Sequence, residues 1–368
     1  EELAAAEQEA RQIFTHAGVT TTIEKGASQV SWFLQFPTFD VKPRVYRLMS
    51  FNVAELSTFD RPATGIPDCE WGAGPIARFM TGQNSVYQHQ FHATAAPGAV
   101  GHGVVIAPTG AGKTVLLEFL SMMASRHPHL KQFIFDRFKG TYIYTTAMGG
   151  KYLSLNAEKM PKSIGGGLNP FQCEPTEENI EFLKAWLQAL ADTNDPASIE
   201  QIANAVDIAF TAFDRNERSL ARIFDGAFTA GTDVYEQLRK WVDPNQYGEM
   251  FNAEVDCIDL DDNWLTTFDM TSLFDDPNLA GATISYFMHR IRQTMRANRC
   301  PGLIVIDETE PLLRNEHFRN IFLVMLQEYR KLGGVVISVF QRPEALSAQN
   351  VSELIRQQCS TFYLYPNM

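Results

Sequence analysis

The sequence is short of cysteine and of basic residues, and each shortage excludes a class of protein. Five of its 368 residues are cysteines, and they lie far apart, at Cys69, Cys173, Cys257, Cys300 and Cys359. No two of them have the spacing of metal ligands, and an odd number argues against a disulfide framework. We therefore expect a reducing compartment.

Basic residues are outnumbered, with 31 Lys and Arg against 43 Asp and Glu and a formal net charge of −12. The net negative charge therefore argues against a chain whose whole surface binds DNA electrostatically. A local basic patch is compatible with this charge balance. Apolar runs such as Val335 to Phe340 are too short to span a bilayer. Because the chain opens Glu1-Glu2-Leu3 without a Met, we expect it to be a piece of a longer protein.

The most informative stretch is Ala107-Pro108-Thr109-Gly110-Ala111-Gly112-Lys113-Thr114, which lies between two apolar runs. A strand, a glycine-rich turn and a helix in this order predict a phosphate-binding loop. Its glycines let successive N–H groups point at an anion, and the helix start adds free donors. Lys113 would reach the β and γ phosphates of a nucleotide, and the Thr114 hydroxyl would hold Mg²⁺. The predicted nucleotide-binding residues are Thr109, Gly110, Ala111, Gly112, Lys113, Thr114 and Val115.

Beyond the loop, apolar strands each end in a polar residue, a pattern typical of an α/β protein with a parallel sheet. These strands run into the loop at Ala107 and into Asp136, Asp269, Asp307-Glu308 and Gln341. Ligands of open α/β sheets bind at the carboxyl ends of the strands. We therefore expect these residues to gather along one edge, around the phosphates.

The run Leu303-Ile304-Val305-Ile306-Asp307-Glu308 has the form of a Walker B strand. Such a strand delivers Asp307 to the magnesium ion, and Glu308 can activate the attacking water as general base. Gln341, at the end of the next strand, is placed to sense the γ-phosphate or to orient water.

Arg330 ends the helix that follows the acidic doublet. One interpretation is that it complements the helix dipole and caps the last turn. The alternative is an arginine finger that acts on a neighbouring subunit. Arg292, Arg296 and Arg299 fall on one helical face, which we interpret as solvated, with a nucleic-acid or subunit contact as the alternative.

The chain also resembles the large VirB-class ATPases of type IV secretion and conjugal transfer systems, the TrbE and CagE kind, over about residues 85–368. The resemblance rests on the order and spacing of short motifs: Ala107–Thr114, Phe135-Asp136, Lys139-Gly140, Met148–Tyr152, Leu168–Phe171, Phe268–Met270, Asp307-Glu308 with Leu312-Leu313, Arg330-Lys331, Gln341 and Thr361–Asn367. Where that family usually has the run Asp-Lys-Asp-Arg-Gly, this chain has Asp136-Arg137-Phe138-Lys139-Gly140, so that Lys139 replaces an Arg.

The resemblance implies a RecA-like P-loop NTPase of the FtsK/HerA type with an inserted all-helical subdomain. It implies ATP and Mg²⁺ as ligands, a homo-oligomer from dimer to hexamer, and other secretion-channel subunits as partners. It also implies a place at the cytoplasmic face of the bacterial inner membrane, by peripheral association, and a DNA or protein substrate. The implied function is an ATPase motor that energises channel assembly or substrate transport. Two alternatives stay open: a DNA-translocating ATPase of the coupling-protein or FtsK/HerA type, and a nucleotide-binding scaffold.

Changes in the pattern of apolar, acidic and turn-forming residues along the chain predict three structural regions. Residues 1–97 are the tail of an amino-terminal domain with linking strands, and they include β-rich runs at Val30 to Phe36 and Tyr46 to Val53. The ATPase core takes residues 98–173 and 254–368. Residues 174–253 form a helical, acidic insertion.

Overall fold

The computed structural model describes residues 2–16, 18–34, 36, 49–51, 53, 62–154, 167–256, 258–344, 355 and 357–365. The chain divides into two compact units, Glu1–Pro62 and Ala63–Met368. In the first unit, helix α1 takes Glu2–His16 and helix α2 takes Ser28–Phe33.

The strand predicted at Val30 to Phe36 is wrong, because Val30 to Phe33 belong to α2. The amide of Leu34 donates to the carbonyl of Val30 at 3.0 Å, which closes a local turn. Strand preference depends on packing against a neighbouring strand, whereas Trp32 in this segment is 63% exposed. In the run from Tyr46 to Val53, the described residues are 49–51 and 53. Ser50, Phe51 and Val53 are helical, and the amide of Val53 donates to the carbonyl of Met49 at 3.2 Å, so the strand predicted there is wrong at these residues too.

The second unit is built on a seven-stranded sheet in which every paired neighbour is parallel. Its strands are β3 (His102–Ile106), β4 (Lys131–Asp136), β5 (Lys151–Ser154), β6 (Leu265–Asp269), β7 (Gly302–Ile306), β8 (Val335–Phe340) and β9 (Cys359–Leu364). Their spatial order is β5-β6-β4-β7-β8-β3-β9. A separate antiparallel pair is formed by β1 (Ala77–Met80) and β2 (Val86–His89). The predicted α/β class with a parallel sheet is confirmed.

Helices connect and cover these strands. They are α3 (Lys113–Ala124), α4 (Tyr142–Ala147), α5 (Glu177–Ala191), α6 (Pro196–Ala212), α7 (Leu220–Ala227), α8 (Asp233–Arg239), α9 (Gly248–Phe251), α10 (Pro277–Asn298), α11 (Glu310–Arg314) and α12 (Glu316–Lys331). Within the described residues, no helix combines the length and apolar character needed to cross a bilayer.

The two faces of the sheet bury different hydrophobic cores. Along β4, the rings of Phe133 and Phe135 join one core and Ile134 joins the other, because successive side chains point to opposite faces. Helix α3 covers the second face through Leu117 and Leu120. The first face packs against α10 and α12 and shares its core with the helices of residues 177–251.

Helices α5 to α8 begin at residues whose side chains cap them. Thr176, Asp195, Ser219 and Thr232 each accept a hydrogen bond from a backbone N–H in the first helical turn. Trp186 of α5 donates its ring N–H to the carbonyl of Ala282 in α10 at 3.0 Å, which ties this helical segment to the core. The three-part division of the sequence stays a prediction.

Three stacked aromatic rings hold α10 against the sheet, and removing one of them should be costly. Phe287 is fully buried, and its ring centroid lies 4.5 Å from that of Phe268 and 6.3 Å from that of Phe135. Phe287→Ala should lower the free energy of unfolding by about 3–5 kcal/mol, measured by urea denaturation. Phe362→Ala, at a 41% exposed side chain, is the control and should cost less than about 1 kcal/mol. Equal effects would contradict this description of the core.

Candidate functional site

The glycine loop connects β3 to α3 in the conformation that the sequence pattern predicts. Gly110 and Gly112 have φ values of 82° and 90°, a region that residues with a Cβ rarely adopt. Gly112 is the residue immediately before α3, so the N–H groups of the first helical turn have no partners within the helix. Ala107 is fully buried and donates its N–H to the carbonyl of Phe340 at 3.1 Å. A small side chain at this first motif position therefore fits.

Backbone hydrogen bonds bring the strand-end residues to one edge of the sheet. The amide of Asp307 donates to the carbonyl of Phe135 at 3.0 Å, so Asp307 lies beside Asp136 on the neighbouring strand. Gln341 follows Phe340, which pairs with Ile106 at the start of the loop. The structure thus brings the loop, Asp136, Asp307-Glu308 and Gln341 together at the carboxyl edge.

Asp307 carries a carboxylate in a partly desolvated position. Its Oδ1 atom is buried and has no hydrogen-bond partner among the described residues. Burial raises the pKa of Asp307 to about 6, and the nearby positive charge of Lys113 opposes this rise. Asp136 and Glu308 add like charge that raises the pKa further. A cation close to Oδ1 would stabilise the ionised form of this group.

Glu308 forms an ion pair that sequence reasoning missed. Its Oε2 accepts a hydrogen bond from Nη1 of Arg137, the residue that follows β4. The side chains of Arg137 and Glu308 are 22% and 18% exposed. Arg137 also approaches Asp275 at 3.6 Å and lies over the ring of Phe138 at 4.6 Å. The guanidinium therefore holds the glutamate carboxylate in one orientation.

The turn that presents Arg137 has an unusual backbone. Phe138 and Lys139 have φ values of 60° and 55°, a left-handed conformation that is uncommon outside glycine. The turn is held by a hydrogen bond from the amide of Phe138 to Oγ1 of Thr271 at 2.8 Å, and by one from the amide of Thr141 to Oδ2 of Asp136 at 3.2 Å. Such backbone strain concentrates at functional sites.

The only sequence signal for Arg137 was a charged residue directly after a strand-end aspartate. Its importance depends on β4 lying next to β7. That adjacency is set by strands separated by more than a hundred residues, so no local pattern could reveal it.

Arg330 lies away from the loop within its own chain. It is near the end of α12, just before β8 begins at Val335, whereas the loop follows the carboxyl end of the parallel strand β3. Six strand residues therefore separate the two positions, about 15–20 Å at the usual rise per residue. Its Nε donates to the carbonyl of Gly98 at 2.7 Å.

The predicted solvated face of arginines is wrong for Arg292. Its side chain is only 8% exposed and pairs with both Glu178 and Glu328. Arg296 also pairs with Glu178. These ion pairs engage the charges of Arg292 and Arg296 with carboxylates of other helices.

Comparisons with known proteins agree with the geometry. No family model matches the chain. A VirB4 type IV secretion protein of Bartonella quintana is 29% identical to it, over 97% of this chain and 45% of the relative. VirB4 of Agrobacterium fabrum is 26% identical over the same shares. The chain thus spans less than half the length of these curated relatives.

A solved structure, VirB4 of Thermoanaerobacter pseudethanolicus, shares the fold with a TM-score of 0.66 at 14% identity. The match covers 83% of this chain and 86% of that one. It confirms the predicted P-loop NTPase fold. Together with the curated relatives, it confirms that this chain resembles the VirB-class proteins of type IV secretion systems over nearly its whole length.

Proposed function

We propose that the chain is the ATP-hydrolysing motor region of a type IV secretion or conjugation protein. The observation that carries the proposal is the convergence of the phosphate loop with Asp307 and Glu308 at one sheet edge. A nucleotide triphosphate needs an anion cradle, a metal anchor and a water-activating group in one place, and this edge offers all three.

The loop supplies the cradle and the first positive charge. Backbone N–H groups from Thr109 to Val115 would bind the phosphates, with Lys113 at the β and γ positions. Thr114 and Asp307 would hold Mg²⁺, whose charge would neutralise the phosphate oxygens. The buried, unpartnered Oδ1 of Asp307 fits that ligand.

Glu308 would act as general base on the attacking water. Arg137 positions its carboxylate through the ion pair between them. Gln341 is exposed at the end of β8, where its amide can contact the γ-phosphate or the water.

The named relatives support the proposed cellular role. Two of them are VirB4 proteins that cover nearly all of this chain. By analogy, the chain works as a homo-oligomer, peripherally at the cytoplasmic face of the bacterial inner membrane, beside other channel subunits. It would energise channel assembly or transport of DNA or protein. The DNA-translocating alternative has weaker support, since Arg292 and Arg296 are engaged in ion pairs. The scaffold alternative leaves the Asp307-Glu308 pair unexplained.

Lys113→Ala should reduce ATP turnover of an oligomeric preparation to background, because the charge that contacts the β and γ phosphates is lost. Turnover is measured by phosphate release. The control is Lys184→Ala, which removes a lysine that pairs with Glu181 and Asp207 on the helical segment. Retained turnover in Lys113→Ala would contradict the assignment of the site.

Glu308→Gln should bind ATP nearly as well as the wild type while turnover falls by about 10²–10⁴-fold, the usual contribution of a general base. Binding and turnover are measured separately, by calorimetry and phosphate release. Glu310→Gln is the matched control, because Glu310 pairs with Arg314, four residues further along α11. Equal loss of binding and turnover in Glu308→Gln would argue against a role as base.

Arg330 is proposed to act on the nucleotide of a neighbouring subunit. Wild-type turnover per chain should then rise with protein concentration, and Arg330→Ala should remove most of that rise, since such a residue is worth about 10³–10⁵ in rate. Lys331→Ala, one residue further along the same helix end, should behave as wild type. Wild-type turnover that is independent of concentration would refute the role in trans.

A further inference from the structure

Asp136 is the most deeply buried carboxylate at the sheet edge. It ends β4 and has no exposed surface. Its Oδ2 accepts hydrogen bonds from the amide of Thr141 at 3.2 Å and from the hydroxyl of Tyr152 at 2.8 Å. Its Oδ1 is buried too, yet has no partner among the described residues. A buried carboxylate oxygen without a partner is costly, so Oδ1 calls for a ligand.

Beside the free oxygen and the phosphate loop lies a space that would hold a methyl group. A methyl group added at Gly140 would lie 3.4 Å from Oδ1 of Asp136 and 3.4 Å from Cγ2 of Thr114. Gly140 does not have the positive φ that would require glycine. What distinguishes this glycine is therefore the space that it leaves between Asp136 and Thr114.

Asp307 has the same property on the adjacent strand. Its Oδ1 is also buried and unpartnered, and the hydrogen bond from its amide to Phe135 keeps the two carboxylates side by side. Two unsatisfied carboxylate oxygens thus flank the beginning of α3. In the part of the chain that the structure describes, no three His, Cys, Asp or Glu residues form a metal cluster by themselves. An ion here must therefore complete its shell with Thr114, water and phosphate.

We propose that Asp136 is a second acidic residue of the Mg²⁺ site, whose Oδ1 accepts a hydrogen bond from a water molecule in the ion's coordination shell. The proposal rests on the proposed function. Mg²⁺ keeps several waters when bound through one or two carboxylates and substrate phosphates. Residues that bind such waters orient the direct ligands, and their loss typically costs about 10–100-fold in metal affinity. Thr114 and Asp307 remain the direct protein ligands.

A purely structural role for Asp136 is the competing explanation, because Oδ2 anchors the turn that carries Arg137. Asp136→Asn separates the two roles. The amide oxygen can occupy the Oδ2 position and keep the hydrogen bonds from Thr141 and Tyr152. The NH₂ group then replaces Oδ1, and the negative charge is lost.

The matched control is Asp269→Asn on the neighbouring strand β6. Asp269 lies in register with Asp136, but both of its oxygens already have partners. Oδ1 accepts from Thr271, and Oδ2 accepts from the hydroxyl of Ser154 at 3.3 Å. Asp269→Asn should leave metal binding unchanged while it alters charge near the same edge.

The test measures the affinity of the ADP-saturated protein for Mn²⁺, by electron paramagnetic resonance of free Mn²⁺. Asp136→Asn should weaken this affinity by about tenfold or more, and Asp269→Asn by less than twofold. Gly140→Ala should also weaken it, because the added methyl occupies the gap at ordinary van der Waals distance. That variant decides the test if Asp136→Asn does not fold, as judged by circular dichroism.

Wild-type affinity for Mn²⁺ in folded Asp136→Asn would overturn the inference and leave the proposed function intact. If Asp136→Asn is unfolded, wild-type affinity in Gly140→Ala overturns it in the same way. A wild-type chain that binds neither ADP nor Mn²⁺ would overturn the proposed function itself, and this inference with it.

Discussion

The chain's chemistry depends on placing two carboxylates at the ends of adjacent, largely buried strands. Strand β4 ends in Asp136, and strand β7 is followed directly by Asp307. Burial raises the pKa of both groups, so the ionised forms are disfavoured without a nearby cation. Lys113 lies close enough to Asp307 to oppose the shift. The strand order that makes these two residues neighbours therefore also creates a site that favours a cation.

The same strand order also positions Glu308, the proposed base. Arg137 follows Asp136 directly, so the residue that pairs with Glu308 is attached to the strand next to the one that delivers Glu308. Phe138 and Lys139, both with left-handed backbone conformations, form a tight turn directly after Arg137. Gly140, which has no side chain, leaves space beside Thr114. Five consecutive residues, 136–140, thus serve both parts of the site. They line the proposed metal site beside Thr114, and they hold the arginine that orients Glu308.

Local patterns predicted the parts of the site that depend on neighbours in sequence. The sequence predicted the phosphate loop and strands β3, β4, β6, β7 and β8, because glycine spacing and apolar runs are short-range signals. The role of Arg137 and the unpartnered oxygen of Asp136 could not be predicted from the sequence, because both arise from the pairing of β4 with β7. Arg292 shows the same limit, since Glu178 and Glu328, which neutralise it, come from two other helices. The predicted strand at Val30 failed because strand preference depends on packing against a neighbouring strand, and no residue of α2 is buried among the described residues.

The central claim is that the carboxylate edge binds a divalent ion together with the phosphates of a nucleotide. Anomalous diffraction from crystals grown with Mn²⁺ and a non-hydrolysable ATP analogue tests it most directly. We predict one Mn²⁺ peak within direct bonding distance of oxygens of Thr114 and Asp307, with a water between the ion and Oδ1 of Asp136. A bound nucleotide with the Mn²⁺ peak elsewhere, or with neither carboxylate near the ion, would contradict it.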